Sequence, residues 1–166
     1  GLMHPSKGQV IVDGKQLGKD VDFAPDAGII IETPCFLPYL SGFQNLKELA
    51  SIRNIISKEE IAEAMEQVKL DPSSRKHVGK YSLGMRQRLG IAQAIMERPR
   101  YLILDEPMNG LDTQGMEDVR ELLQKQKETG VTVILASHSM EDIRLLCDTV
   151  HRIQDASLIP CTTEFS

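Results

Sequence analysis

Two adjacent carboxylates, Asp105 and Glu106, offer the clearest chemistry in this sequence. They follow an uninterrupted apolar run from Tyr101 to Leu104 and precede a turn-forming Pro-Met-Asn-Gly stretch. An apolar run without polar alternation is typical of a parallel strand that is covered on both faces. Because open α/β sheets bind ligands at the carboxyl ends of their strands, the two acids are better placed for chemistry than for solubility. The plainer interpretation is a strand that ends in solvated charge.

Two further strand-like runs end in side chains suited to phosphate chemistry. Glu32 follows the run AGIII directly, and His138 lies two residues after VTVILA. If the strands are parallel, these groups share one edge with the acids. There Asp105 suits Mg²⁺, which prefers oxygen ligands, Glu106 can accept a proton from water, and His138 can contact a phosphate. Taken singly, a histidine after a strand is more often a structural residue.

A different kind of site begins at Ser82. The segment YSLGMRQRLGIAQAI predicts a helix that Ser82 caps, with an apolar stripe that includes Met85 and Leu89. The free amides of a first helical turn favour an anion such as phosphate, and Gly84 lets a ligand approach the backbone closely. An ordinary helix cap followed by a core-facing stripe explains the same residues.

The elements that must position these residues alternate between apolar strands and amphipathic helices. Helices are predicted over 42–51, 58–69, 82–98 and 114–129, with a short one after Ser139, and strands over 9–12, 27–31, 101–104 and 131–136, with a hairpin or edge segment at 149–159. The sequence therefore predicts a single α/β domain over 1–166 with a helical subdomain at 42–98.

Composition limits the classes of function. The formal net charge is -5 without a basic stripe, which argues against nucleic acid as a partner. Three widely spaced cysteines with no CxxC pair argue against a zinc site or a disulfide frame, and favour a reducing cytosolic compartment. No apolar stretch approaches the roughly 20 residues that a membrane-spanning helix needs.

Four segments together resemble the ATP-binding-cassette (ABC) ATPases of membrane transporters. YSLGMRQRL resembles the signature motif, YLILDEP the Walker B strand, MNGLD the D-loop and SHSMED the switch-histidine segment, all in the family's order. The resemblance implies a P-loop NTPase-like fold. It also implies an ATPase subunit that uses ATP and Mg²⁺, works with a transmembrane permease subunit, and lies on the cytoplasmic face of the cell membrane.

The resemblance implies separate roles for the residues at the end of the two strands. Asp105 would support Mg²⁺, Glu106 would be the catalytic carboxylate, and His138 would contact the γ-phosphate of ATP.

The resemblance also implies residues that act between subunits. Asp112 would act across the interface with a second protomer, in a homodimer, and Ser82 and Gly84 would contact the nucleotide that this protomer holds. Glu32 stands where the family's Q-loop glutamine normally lies, in a loop that couples nucleotide to the transmembrane subunit.

The sequence departs from the family pattern in three places. Ser-Leu-Gly-Met at 82–85 replaces the usual Ser-Gly-Gly-Gln, and Glu32 replaces a glutamine. Both changes resemble the peptide-antibiotic and bacteriocin exporter branch. The third departure is that the chain contains no G-x-x-x-x-G-K-[ST], the Walker A loop that cradles phosphates. We therefore expect a cassette that is incomplete at its N-terminus and inactive alone; the alternative is a degenerate, non-hydrolytic cassette that serves as an interaction module.

Overall fold

A three-stranded parallel sheet lies at the centre of the computed structural model, which describes residues 3, 5–31 and 34–161. Its strands, in spatial order, are β3 (Ala27–Ile30), β4 (Tyr101–Asp105) and β5 (Thr132–Ala136). Antiparallel hairpins precede and follow it, formed by β1 (Ile11–Val12) with β2 (Lys15–Gln16) and by β6 (His151–Gln154) with β7 (Ser157–Pro160). The predicted α/β class is confirmed, and so is the hairpin near the end of the chain.

The part of the chain that the structure describes also contains five α-helices. They are α1 (Gly42–Arg53), α2 (Lys58–Gln67), α3 (Leu83–Ile95), α4 (Thr113–Glu128) and α5 (Met140–Leu146), with a short 3-10 helix at Val78–Lys80. None of the helices in the described residues combines the length and the apolar character that crossing a bilayer requires.

Each of the five α-helices begins at a side-chain oxygen that accepts a hydrogen bond from a free backbone N–H. Ser41 and Ser57 form capping boxes with Gln44 and Glu60 at the starts of α1 and α2. The predicted caps at Ser82 and Ser139 are confirmed, and Asp112 caps α4. Such caps stabilise a helix by about 1 kcal/mol each and fix the residue at which it begins.

The helical segment between β3 and β4 shares one apolar core with the sheet. Leu46 of α1, Ile61 and Met65 of α2, and Leu89 of α3 are all buried there. Helix α3 also packs on β3 so closely that a Cβ at Gly28 would overlap the carbonyl oxygen of Ala94. Helix α3 therefore joins the helical segment to the sheet. The division of the chain into a helical subdomain at 42–98 stays a prediction.

The sheet is covered unevenly on its two faces. Leu102 and Leu104 of β4 are buried beneath the helices, together with Ile30 of β3. On the opposite face Ile29 and Ile134 lie in register with Ile103 in one row across the sheet, and they are 37% and 55% exposed. The prediction that the strand at 101–104 is covered on both faces is therefore met on the Leu102 face only, because Ile103 on the other face is half-buried. The reason is that α3 and α4 both pack on the Leu102 face.

Candidate functional site

The carboxyl edge of the sheet brings together three of the predicted site residues. Strand β4 ends at Asp105, which lies in register with Ala136, the last residue of β5. Glu106 follows Asp105 directly, and His138 follows Ala136 by two residues, so the prediction that these groups share one edge is confirmed. Glu32, the fourth predicted member of that edge, lies outside the described residues.

Glu106 leaves the strand in an unusual backbone conformation. Its φ is +46°, in the left-handed region that a non-glycine residue adopts at a cost of about 1–3 kcal/mol. Its backbone N–H donates to the Ala136 carbonyl at 2.9 Å, and its own carbonyl accepts from the Asn109 N–H at 3.1 Å. Because surrounding contacts must hold such a conformation, Glu106 is fixed both toward β5 and at the start of a tight turn.

Glu106 and His138 contact each other through two hydrogen-bonding groups. Glu106 Oε1 accepts from the His138 backbone N–H at 2.9 Å and lies 2.7 Å from His138 Nδ1. The hydrogen bond to Glu106 and the charge of that carboxylate raise the pKa of His138, whose side chain is 80% exposed. When the imidazole of His138 is neutral and its Nδ1 proton is donated to Glu106, Nε2 can accept a hydrogen bond from a ligand.

Asp105 has a half-buried carboxylate that receives no hydrogen bond and no ion pair from the described residues. Within the same residues, no group of three or more His, Cys, Asp or Glu side chains is arranged to hold a metal ion. A single carboxylate without a protein donor fits Mg²⁺, because this ion takes one or two protein oxygens and fills its other positions with water and phosphate. The donor set thus suits a magnesium–nucleotide complex better than an ion held by the protein alone.

The start of α3 lies against the turn that follows Glu106. Ser82 Oγ is exposed and accepts from the Met85 N–H at 3.1 Å. A Cβ at Gly84 would come within 2.9 Å of the Gly110 carbonyl oxygen, and one at Gly110 would overlap the Leu83 side chain. The two glycines therefore permit close packing inside the chain, a reason for Gly84 that the sequence motif did not indicate.

Asp112 closes the same turn and begins the next helix. Its Oδ1 accepts from the Gly115 N–H at 2.9 Å while the residue stays exposed to solvent. The side chain thus has a structural role as a helix cap beside its predicted role between protomers. Segment 107–111 separates Asp112 from Glu106, so both acids are tied to one turn.

Sequence reasoning missed the residues of α3 that anchor this turn. Gln87 is buried and donates from Nε2 to the Pro107 carbonyl at 3.1 Å. Arg88 forms an ion pair with Asp118 of α4 at 2.8 Å and donates to the Val68 carbonyl at 2.9 Å. No sequence signal distinguishes these side chains from solvated polar residues, since their partners lie 20 or 30 positions away.

A buried ion pair anchors the helix that follows His138, and it was also missed. Arg120 Nε of α4 donates to Asp142 Oδ1 of α5 at 2.8 Å, and the Asp142 side chain is only 2% exposed. Ser139, the residue after His138, caps the same helix. The backbone that carries His138 is therefore fixed from its C-terminal side.

The chain matches known proteins over most of its length. A family model described as ABC transporter matches residues 1–109, about two thirds of the chain. This chain belongs to the ABC transporter family. It is similar to the uncharacterized ABC transporter ATP-binding protein YybJ of Bacillus subtilis, at 44% identity over 148 residues that make up 89% of this chain and 68% of YybJ.

Two further proteins extend the family comparison. The bacitracin transport ATP-binding protein BcrA of Enterococcus faecalis is 40% identical over 160 residues, 95% of this chain and 52% of BcrA. The chain thus spans about half to two thirds of the length of these curated ABC relatives. A solved dimeric structure of the ATP-binding cassette MJ0796, in a post-hydrolysis state with ADP and Pi, aligns with a TM-score of 0.74 at 20% identity, covering 87% of this chain and 68% of that one. This likeness shows that the fold is that of an ABC cassette.

Proposed function

We propose that this chain carries the hydrolytic residues of the ATPase subunit of an ABC exporter for peptide antibiotics. The observation that carries the proposal is the contact of Glu106 with His138, next to the carboxylate of Asp105, which has no partner among the described residues. The similarity to a bacitracin transport protein supports the substrate class. A binding-only cassette would gain nothing from the strained backbone that brings Glu106 to His138, so the geometry favours hydrolysis.

The chemistry that these residues support is attack of water on the terminal phosphate of ATP. Glu106 orients the water and accepts its proton, a form of general base catalysis. His138 holds the Glu106 carboxylate through Nδ1 and contacts the γ-phosphate with its other ring nitrogen. Asp105 would hold Mg²⁺, which when bound neutralises charge on the phosphate oxygens.

The remaining predicted residues act between subunits in this proposal. Ser82 and Gly84, at the exposed start of α3, contact the nucleotide of a second, identical protomer. Asp112 acts across the same interface. Glu32 couples the nucleotide to a transmembrane permease subunit on the cytoplasmic side of the membrane, where the helical block at 42–80 offers a docking surface.

A first experiment measures ATP binding, because the chain contains no G-x-x-x-x-G-K-[ST] motif to cradle the phosphates. We expect isolated residues 1–166 to bind ATP weakly in calorimetric titrations and to release no phosphate. A longer version that includes such a motif is expected to bind ATP tightly with Mg²⁺ and to hydrolyse it. Submicromolar ATP binding by the isolated chain would contradict the expectation that tight binding needs this motif.

A further inference from the structure

The turn that follows Glu106 is anchored from within the protein by one buried amide. Pro107, the residue directly after Glu106, is fully buried, and its carbonyl accepts from Gln87 Nε2 at 3.1 Å. Gln87 is itself only 4% exposed, and it lies one turn along α3 from Leu83. The hydrogen bond therefore links the first turns of α3 directly to the backbone next to Glu106.

This link matters because the turn begins at a strained residue. Glu106 has a φ of +46°, and its carbonyl is held by the Asn109 N–H within the same turn. A buried carbonyl that loses its donor must find another partner or reach water. If Pro107 lost Gln87, the turn would rearrange to expose that carbonyl, and Glu106 would relax toward a negative φ that no longer directs its side chain to His138.

Other contacts hold the far end of the turn and do not replace this hydrogen bond. Gly84 approaches the Gly110 carbonyl, and the Leu83 side chain packs over Gly110. Both contacts lie four residues from Glu106. Gln87 alone among the α3 side chains described here donates to the residue that follows Glu106.

We propose that Gln87 is a positioning residue for hydrolysis, which by donating to the Pro107 carbonyl keeps the Glu106 carboxylate against His138. Its effect on turnover rests on the proposed function, since Glu106 must be the base that accepts the proton. Its effect on the contact between Glu106 and His138 does not, and it can be measured in this chain without nucleotide.

The first test compares Gln87→Met with Gln93→Met. Methionine keeps the length and nearly the volume of glutamine but cannot donate to the carbonyl. Gln93 is a matched control because it lies on the same helix, is half-buried, and faces Ile29 and Pro34 rather than the turn. In NMR titrations of His138 we expect Gln87→Met to lower the pKa of His138 toward about 6.5, whereas Gln93→Met leaves the wild-type value.

The second test measures steady-state ATP hydrolysis in the longer version that includes a phosphate-binding loop. We expect Gln87→Met to reduce kcat by about 10-fold or more with little change in KM, because the loss lies in the transition state and not in nucleotide binding. Gln93→Met is expected to leave both parameters unchanged. An equal loss of kcat in both variants would show that Gln87 contributes only to packing. A rise in KM alone would show that Gln87 contributes to nucleotide binding.

The outcomes separate this inference from the proposed function. If the wild-type longer version hydrolyses no ATP, the proposed function fails, while the His138 titration still decides the role of Gln87. If Gln87→Met does not fold, the wild-type protein provides the measurement: the Gln87 carboxamide protons should exchange slowly with solvent and show NOE contacts to the Met108 Hα, which lies on the same side of the trans peptide bond as the Pro107 oxygen. Fast exchange, or an unchanged pKa of His138 in a folded Gln87→Met variant, would overturn the proposal.

Discussion

Glu106 and His138 act as one unit, because a single carboxylate oxygen accepts from both the backbone N–H and the ring of His138. The ring is exposed, so its environment is set mainly by this one contact rather than by burial. The raised pKa of His138 follows from the hydrogen bond first and from the charge of Glu106 second. Removing the carboxylate charge should therefore be visible in the titration of the imidazole.

The first residue-scale prediction concerns this titration. We expect NMR to give a pKa for His138 above its ordinary value of about 6.5, and Glu106→Gln to remove the elevation. Because the pKa is raised by folding, the pair contributes its full stability below the unfolded pKa and loses it as pH rises through the folded pKa. Glu141→Gln is the control, since Glu141 is an exposed acid that pairs with Arg120 instead. Identical pKa values for His138 in wild type and Glu106→Gln would contradict the contact.

At this scale the sequence indicated which residues to consider but not how they meet. Asp105 and Glu106 were visible because they follow an apolar strand, and His138 because it follows another. The positive φ of Glu106 was not predictable, since no glycine or asparagine marks it and the conformation depends on β5 and on Gln87. The same reasoning explains why Gln87 was missed: its partner is 20 positions away in the chain.

At the scale of elements, helices α4 and α5 hold the His138 backbone through the buried ion pair of Arg120 and Asp142. A buried pair stabilises little when compared with apolar residues, but breaking it leaves an uncompensated charge. Arg120 also contacts Glu141 at 2.9 Å, so it spans the first turn of α5. Arg120 therefore supports the start of that helix, together with the Ser139 cap.

The element-scale prediction follows from this dependence. We expect Arg120→Met to lower the free energy of unfolding by about 3 kcal/mol, because it leaves Asp142 buried and unpaired. Chemical denaturation measures the loss, and the double variant Arg120→Met/Asp142→Leu should recover part of it. The matched control is Lys125→Met, whose partner Glu121 is equally exposed, and its cost should stay below about 1 kcal/mol. Equal losses in the two single variants would show that the Arg120 pair is no more important than a surface pair.

Element positions followed well from periodicity and capping residues, whereas burial of the sheet did not. The segment VTVILA, which contains β5, is almost entirely apolar, yet Ile134 is 55% exposed. Apolar side chains on both faces show that a strand can be buried on either side. Which face is covered depends on where the helices pack. Both crossover helices, α3 and α4, pack on the same face of the described sheet.

At the scale of the whole molecule, the chain presents the proposed hydrolytic edge of the sheet, and its sequence contains no G-x-x-x-x-G-K-[ST] loop. It belongs to the ABC transporter family and spans 68% of YybJ and 52% of BcrA. The proposed ATPase activity, the second protomer and the permease all concern an assembly larger than these residues. The family resemblance was recognisable from four short motifs, because their order and spacing are far more specific than any one of them.

ATP turnover by Glu106→Gln tests the central claim most directly. The measurement is steady-state phosphate release by the longer version that includes a phosphate-binding loop, with Glu141→Gln as the matched control. Since a positioned general base contributes about 100-fold or more to a rate, we expect Glu106→Gln to lose at least that factor and Glu141→Gln to keep wild-type turnover. Turnover by Glu106→Gln at the wild-type rate would contradict the assignment of Glu106 as the base and, with it, the proposed site.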